Sequence, residues 1–462
     1  MKYIKLSLVA AFLIICTGCD KYLDVNSNPN NPEDVQEKLI LSPVEYNLAQ
    51  GVIGGWSSVH VNHFMQTVAL NQPVPNVGTY LLANTDENDT WYYLYTICLQ
   101  NLHLLNSKAE ANSNLKYAGI AKILTAYCLG YGTTLWGDIP YSEAFAGSGN
   151  FYPTYDSQED IYKAIQDLLD KGIANLEAGT GLTPGSDDYL YNGDADKWIR
   201  AAYTLKARYY MHLTKAPGYN AATQAGLALA ALEKGMQSND DDLEFPYPGG
   251  AGTQNRWYSN FLPVETLIMS AHTVNLLKDR QDPRISKLVA LSEEDGVYRG
   301  REIGTEGIGS LGSYSIGGQF YAGEASSLVL INYREALFLK AEADLLTSGY
   351  AAAQDSYAAA IQADMSKLGV SGSSAAYLAS RGTLTASNAL ERIMEEKSIA
   401  NIFSVEVFSD WRRTGYPALN LVPHALFTAI PRRLIYPNSE ISTNPQPQQS
   451  ATLKDRVWSD PE

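Results

Sequence analysis

His60 and His63 stand three residues apart, a spacing that puts both imidazoles on one helical face. Metal sites use such pairs, but zinc needs further ligands and no His/Cys cluster supplies them. The pair is therefore expected as two polar residues near a helix surface. Asp240, Asp241, Asp242 and Glu244 could offer oxygens to calcium. The run lacks the alternating ligands and central glycine of an EF-hand loop, so it reads as an acidic loop. Gly307-Ile308-Gly309-Ser310-Leu311-Gly312 matches G-x-G-x-x-G. A dinucleotide site needs a strand before it and a helix after it. Here Gly304, Gly317 and Gly318 flank it, and the stretch reads as a glycine-rich loop. Arg412-Arg413 behind Trp411 could hold an anion; in a chain this acidic they are expected to satisfy buried carboxylates such as Asp410, Glu391 or Glu395. No H-E-x-x-H or G-x-S-x-G occurs, and among 50 acidic residues no glycosidase pair stands out. These residues nominate no catalytic, metal or cofactor site.

Aromatic composition is more informative. The chain carries 31 tyrosines against 11 phenylalanines and 7 tryptophans. Tyrosine presents a ring and a hydroxyl together. Sugars have apolar faces and hydroxylated rims, so such a surface suits glycans, and peptides can use it too. The net charge is −16, or −18 without Lys2 and Lys5. That charge argues against nucleic acid, whose binding rests on neutralising phosphates with Lys and Arg. It also argues against electrostatic adhesion to anionic lipid.

Residues 1–18 read as a leader: Lys2 and Lys5, then an apolar run over 6–16 too short to span a bilayer. Thr17 and Gly18 lead to Cys19, the layout of a lipoprotein signal cleaved before an acylated cysteine. Residues 19–34, rich in Asn and Pro, read as a lipidated tether, and 35–462 as one mostly helical domain. Cys98 and Cys128 are expected as two buried free thiols.

Helical periodicity predicts helices near 36–50, 57–70, 88–108, 114–131, 157–178, 194–213, 221–235, 263–278, 331–347, 351–366 and 387–400. Ser157 is an expected cap, as is Asp194 or Asp196 for the helix 194–213. Residues 334–361 look like a degenerate tetratricopeptide (TPR) unit, with Gly349 and then Ala353, Tyr357 and Ala360 at the spacing that packs one helix on another. Helix pairs 88–108/114–131 and 157–178/195–214 suit the same plan. Long Gly-, Tyr- and Asn-rich connections at 71–88, 136–156, 179–193, 239–262 and 292–330 are expected to carry the binding surface. Within them, the candidates are Tyr80 with Asn76 and Asn84, Trp257 and Tyr258 with Asn255 and Arg256, and Tyr314 and Tyr321 with Gln319. Trp91, Tyr92 and Tyr93 open a helix and are assigned to the core.

Several short motifs, in order, resemble the SusD/RagB outer-membrane lipoproteins. They are Cys19 with Asn28-Pro29-Asn30-Asn31-Pro32, Trp136-Gly137-Asp138-Ile139-Pro140, Leu205-Lys206-Ala207-Arg208, Asp282-Pro283-Arg284, Tyr333-Arg334-Glu335-Ala336, Asp410-Trp411-Arg412-Arg413 and Arg433-Leu434-Ile435-Tyr436-Pro437. Phe408 departs from the tryptophan many relatives carry there, which implies a change of packing only. The resemblance implies TPR-like helix pairs in an α-α superhelical scaffold beside a loop-rich binding portion. It also implies a surface-exposed, lipid-anchored protein of the outer membrane. Such a protein captures a glycan, or a peptide in the RagB manner, for a SusC-like TonB-dependent transporter. Catalysis, cofactor and metal are absent from what it implies; a surface hydrolase is the remaining alternative.

Overall fold

The structure, a computed structural model, describes residues 35–262, 266–446 and 451–462. Cys19 and the tether fall outside the described residues. The described residues open with α1 (Glu37–Asn47), a π-helical segment Leu48–Ile53 and α2 (Trp56–Phe64). Next come α3 (Asn88–Tyr92), a π-helical segment Tyr93–Leu99 and α4 (Gln100–Ala111), continuous in the backbone. A stack follows: α5 (Leu115–Trp136), α6 (Gln158–Ala178), α7 (Ala195–His212) and α8 (Ala221–Leu232). Each packs on the one before. Residues 233–332 then leave the stack, carrying α9 (Arg256–Phe261) and α10 (Ala271–Asp279). The chain returns as α11 (Tyr333–Ser348), which docks on α8 as if nothing had intervened, and α12 (Tyr350–Lys367) packs on α11. Then α13 (Ala389–Ala400) packs on α11, and α14 (Glu406–Thr414) on α13.

The caps explain the starts. Ser157 accepts from Asp160 N–H, Asp194 from Lys197 N–H and Asn332 from Glu335 N–H, each satisfying an orphan donor of the first turn. In the TPR-like unit, Ala353, Tyr357 and Ala360 are fully buried against Phe338 and Ala341. Glycines let other helices approach closely. A Cβ on Gly119 of α5 would lie 2.8 Å from the Gly172 carbonyl of α6, and one on Gly130 of α5 would strike the Tyr209 ring of α7.

Two predicted helices are shorter than expected. Val68–Leu70 forms β1, paired antiparallel with β3 (Leu267–Met269) in the register Val68–Met269 and Leu70–Leu267. Short apolar runs fit strand and helix alike, and pairing decides between them. A second ribbon joins β2 (Leu243–Phe245) to β4 (Leu328–Ile331), antiparallel, tying the two ends of the excursion together. Helix α14 was not among the predicted helices.

Buried ion pairs clamp the stack. Arg208 makes a fork to Glu335 at 2.6 and 2.7 Å, and His212 Nε2 lies 2.8 Å from Glu406. Arg413 pairs with Glu342 and Asp410, and Lys397 with Asp410 at 2.9 Å. Arg413 thus satisfies buried carboxylates as expected, with Asp410 the one correct partner among the three named. Arg412 does not: its guanidinium caps the Phe408 ring at 4.4 Å and donates to the Arg432 carbonyl. The acidic run is neutralised from within, Asp241 by Arg200 and Asp242 by Arg334 and Lys367. Cys98 and Cys128 are buried and free.

The two histidines require a correction. His60 and His63 are buried, not near the surface. His60 Nδ1 lies 2.8 Å from Glu87, itself buried, and His63 Nδ1 bonds the Val59 carbonyl. Burial holds His63 down at about 3, so it is a neutral core imidazole.

Candidate functional site: an aromatic surface around the 88–99 helix

Three consecutive aromatics open the 88–99 helix. At about 100° per residue they cannot all face one core. Trp91 goes inward, stacked on Tyr95 at 4.5 Å and edge-on to Trp136 at 5.1 Å. Tyr92 is 52% exposed, and Tyr93 is half-buried with its ring edge-on to Tyr92. Tyr92 is a correction to the core assignment, whereas Tyr93, though half-buried, packs against the core as assigned. The π turn that follows inserts a residue and shifts the helix face, a feature often found at functional sites. Tyr93 lies directly over the Gly51 backbone, where any Cβ would strike its ring.

Two depressions flank this helix and meet at Asp89, which lines both. The smaller, about 290 Å³, has Trp56, Tyr46 and Tyr93 as aromatic walls, with Asn47, Gln50 and Arg256 among its polar groups. The Arg256 guanidinium sits 5.8 Å from the Trp56 ring centroid. Its Nε is buried without an acceptor, and among the described residues it is the one arginine with neither a carboxylate nor a carbonyl partner. With that Nε–H buried and no acceptor from the chain on the rest of the guanidinium, its donors can serve a ligand. Trp56 is held from behind by the stacked His60 ring at 6.4 Å, which the Glu87 bond orients.

The wider depression, about 700 Å³, is walled by Tyr92, Tyr95, Phe145 and Phe151, with Glu440 and Asn444 at its far side. Phe151 is 71% exposed, an unusual placement for so apolar a ring. Its loop is fixed by carboxylates: Asp156 accepts from the N–H groups of Tyr141 and Ser142, and Glu143 from that of Thr154. The Thr154 bond also holds the Glu143 carboxyl below its ordinary range. Glu440 Oε1 accepts from Tyr155 Oη and Asn444 Nδ2, both at 2.9 Å. Flat exposed rings beside fixed donors and acceptors can stack a pyranose face and bond its hydroxyls.

Of the residues nominated from sequence, only Arg256 lines this surface. Tyr80 is 1% exposed, in a left-handed backbone conformation and edge-on to Phe64. Asn76 caps the short turn before it, and Asn84 donates to the Tyr436 carbonyl. Asn255 is buried as the cap of α9, bonded to the N–H groups of Trp257 and Tyr258. Trp257 stacks on Phe403 at 4.5 Å in the core, and Tyr258 stays half-buried beside it in sequence. Tyr321 is buried and donates to the Ala400 carbonyl, Tyr314 lies under Arg301, and Gln319 is exposed away from both depressions. Tyr80, Asn255, Trp257 and Tyr321 are thus parts of the fold, because caps and ring stacks bury them. The missed residues had signals: three aromatics in a row at 91–93, and Phe151-Tyr152 inside a loop already marked as a binding surface.

A stack of paired helices bearing an open aromatic surface defines a helical-repeat binding scaffold. A family model described as SusD-like_2, "Starch-binding associating with outer membrane", matches residues 29–437. The chain belongs to that SusD-like family. It is similar to a SusD/RagB family protein of Bacteroides thetaiotaomicron, at 23% identity and TM-score 0.79 over 92% of this chain and 99% of that one. It is also similar to a chitin-binding SusD homologue of Flavobacterium johnsoniae, at 26% identity and TM-score 0.79 over 92% and 98%. A further structure described as a chitin-binding protein aligns at 24% identity and TM-score 0.78 over 92% and 100%. No curated protein matches the chain.

Proposed function

We propose that this protein is a cell-surface lipoprotein that captures oligosaccharides on the surface around residues 88–99 and delivers them to a SusC-like TonB-dependent transporter, without catalysis of its own. The observation that carries this reading is the juxtaposition of exposed Tyr92 and Phe151 and half-buried Trp56 with an acceptor-free Arg256. Family membership supports the outer-membrane setting. The likeness to two proteins described as chitin-binding makes N-acetylglucosamine chains the first probe. Anchoring rests on Cys19, and 35–462 acts as one unit. No helix among the described residues is long and apolar enough to cross a membrane, in keeping with attachment through lipid.

A peptide ligand is the second reading, favoured by Asp89 and Glu440 in the wider depression, which suit a basic segment. A broad glycan array with the mature protein, paired with a reducing-end assay, tests the first. Oligosaccharide binding without release of new reducing ends is expected. Binding of basic peptides alone, weakened steeply by salt, supports the second, and steady release of reducing ends supports a hydrolase.

A further inference from the structure

The wider depression contains no lysine or arginine among its lining residues, whereas Asp89 and Glu440 both face it. Neither carboxylate is neutralised. Asp89 is exposed without a salt bridge among the described residues. Glu440 is bonded by Tyr155 Oη and Asn444 Nδ2, which carry no charge. Glu143 adds a third carboxylate on the loop that forms the wall, bonded by neutral groups alone. The titratable base packed against this wall is His103, stacked on Phe145 at 5.6 Å. Among the described residues that line the two depressions, the one cation is Arg256, in the smaller depression, which it shares with Asp89.

We infer that the site selects against acidic glycans, and that Asp89, at the junction of the two depressions, is the specificity-determining residue that enforces this. The inference rests on the proposed glycan reading and narrows it to neutral or amine-bearing chains. A uronate or sulfate threaded past Tyr92 meets like charge from Asp89 and Glu440, which line the same depression, and like-charge juxtaposition is an effective way to reject a wrong partner. A protonated amine meets attraction there. A neutral chain meets neither, and its hydroxyl and carbonyl oxygens can serve Arg256 at the other end.

The test uses one backbone with three charges: glucosamine oligomers of equal length, N-acetylated, de-N-acetylated and N-sulfated. Binding to the mature protein is titrated at pH 7.5, in low and high salt. A parallel pair, a neutral glucan oligomer and its sulfated form, covers a different sugar. The sulfated member is expected to bind at least ten-fold more weakly than its neutral parent, with the gap shrinking in high salt and in Asp89→Asn. Glu440→Gln should narrow it further. Equal or tighter binding of the sulfated oligomers, or a gap that Asp89→Asn leaves unchanged, overturns the inference and leaves glycan capture standing. No binding by any oligomer while peptides bind overturns the glycan reading itself, and this inference with it.

Discussion

Burial decides which aromatic does what. Trp257 and Trp56 are both tryptophans near loops, yet Trp257 is 3% exposed on Phe403 while Trp56 faces a depression. Trp257→Ala should cost about 3–5 kcal/mol of stability, read by denaturant unfolding, through the cavity it leaves. His63 supplies a pH signature. Its folded value, lowered by burial to about 3, lies below the ordinary 6.5, so the unfolded chain binds more protons between those limits. Stability is then complete above pH 6.5 and falls as pH drops, by about 2 kcal/mol at pH 5. His63→Phe should flatten the melting-temperature profile between pH 4.5 and 6.5 relative to wild type. Part of the slope should persist, because burial lowers His272 too, and Glu45, raised by burial, acts in the opposite sense. An unchanged profile would remove His63 from this account. Residue types alone showed a tyrosine-rich binder, but not which rings face out. Asn255-Arg256-Trp257-Tyr258 looks like one cluster in sequence, and the helix it caps sends Trp257 inward and leaves Arg256 beside Trp56.

Glycines show what the elements demand of one another. Gly119 of α5 and Gly172 of α6 meet backbone to backbone, so Gly119→Leu should destabilise by about 1–3 kcal/mol through overpacking. Gly226 of α8 has nothing within 4 Å of an added Cβ. There Gly226→Ala should stabilise by about 0.5–1 kcal/mol, since Ala is the better helix former. Urea titrations of the two variants should move in opposite directions; a stabilised Gly119→Leu would refute the close crossing. The long helices were legible because their apolar period is sustained and their caps, Ser157 and Asp194, are strong. Boundaries failed where a short apolar run such as Val68–Leu70 found a strand partner some 200 residues away, which no local window contains. The π segments were hidden for the same reason: Tyr93–Leu99 has ordinary helical composition, and packing over Gly51 and Trp136 sets its register.

At the scale of the molecule, the excursion 233–332 matters most. It interrupts the repeat between α8 and α11, and the stack closes over the gap. That leaves the excursion free to bring Arg256 to Trp56, joining residues 200 apart in the chain. The likeness of separate short motifs to the SusD/RagB pattern made the helical scaffold legible in advance, because several of them carry members of the buried ion pairs that clamp it: Arg208, Arg334, Glu335 and Arg413. The candidate surface has no such motif: its 136–156 loop was marked in advance, but the rings of the 88–99 helix and Trp56 emerged only from the packing. Anchoring is tested separately: Cys19→Ala should release the protein from membranes, read by detergent phase partitioning, and unchanged partitioning would contradict a lipid at that residue.

The central claim is that the rings around residues 88–99 hold sugar. Calorimetric titration of the mature protein with N-acetylglucosamine oligomers and a panel of neutral glucans, side by side with Trp56→Ala, tests it most directly. The account predicts micromolar-to-millimolar binding of at least one oligosaccharide, weakened ten-fold or more in the variant while its melting temperature holds. Oligosaccharide binding that Trp56→Ala leaves intact, or heat from peptides alone, would contradict it.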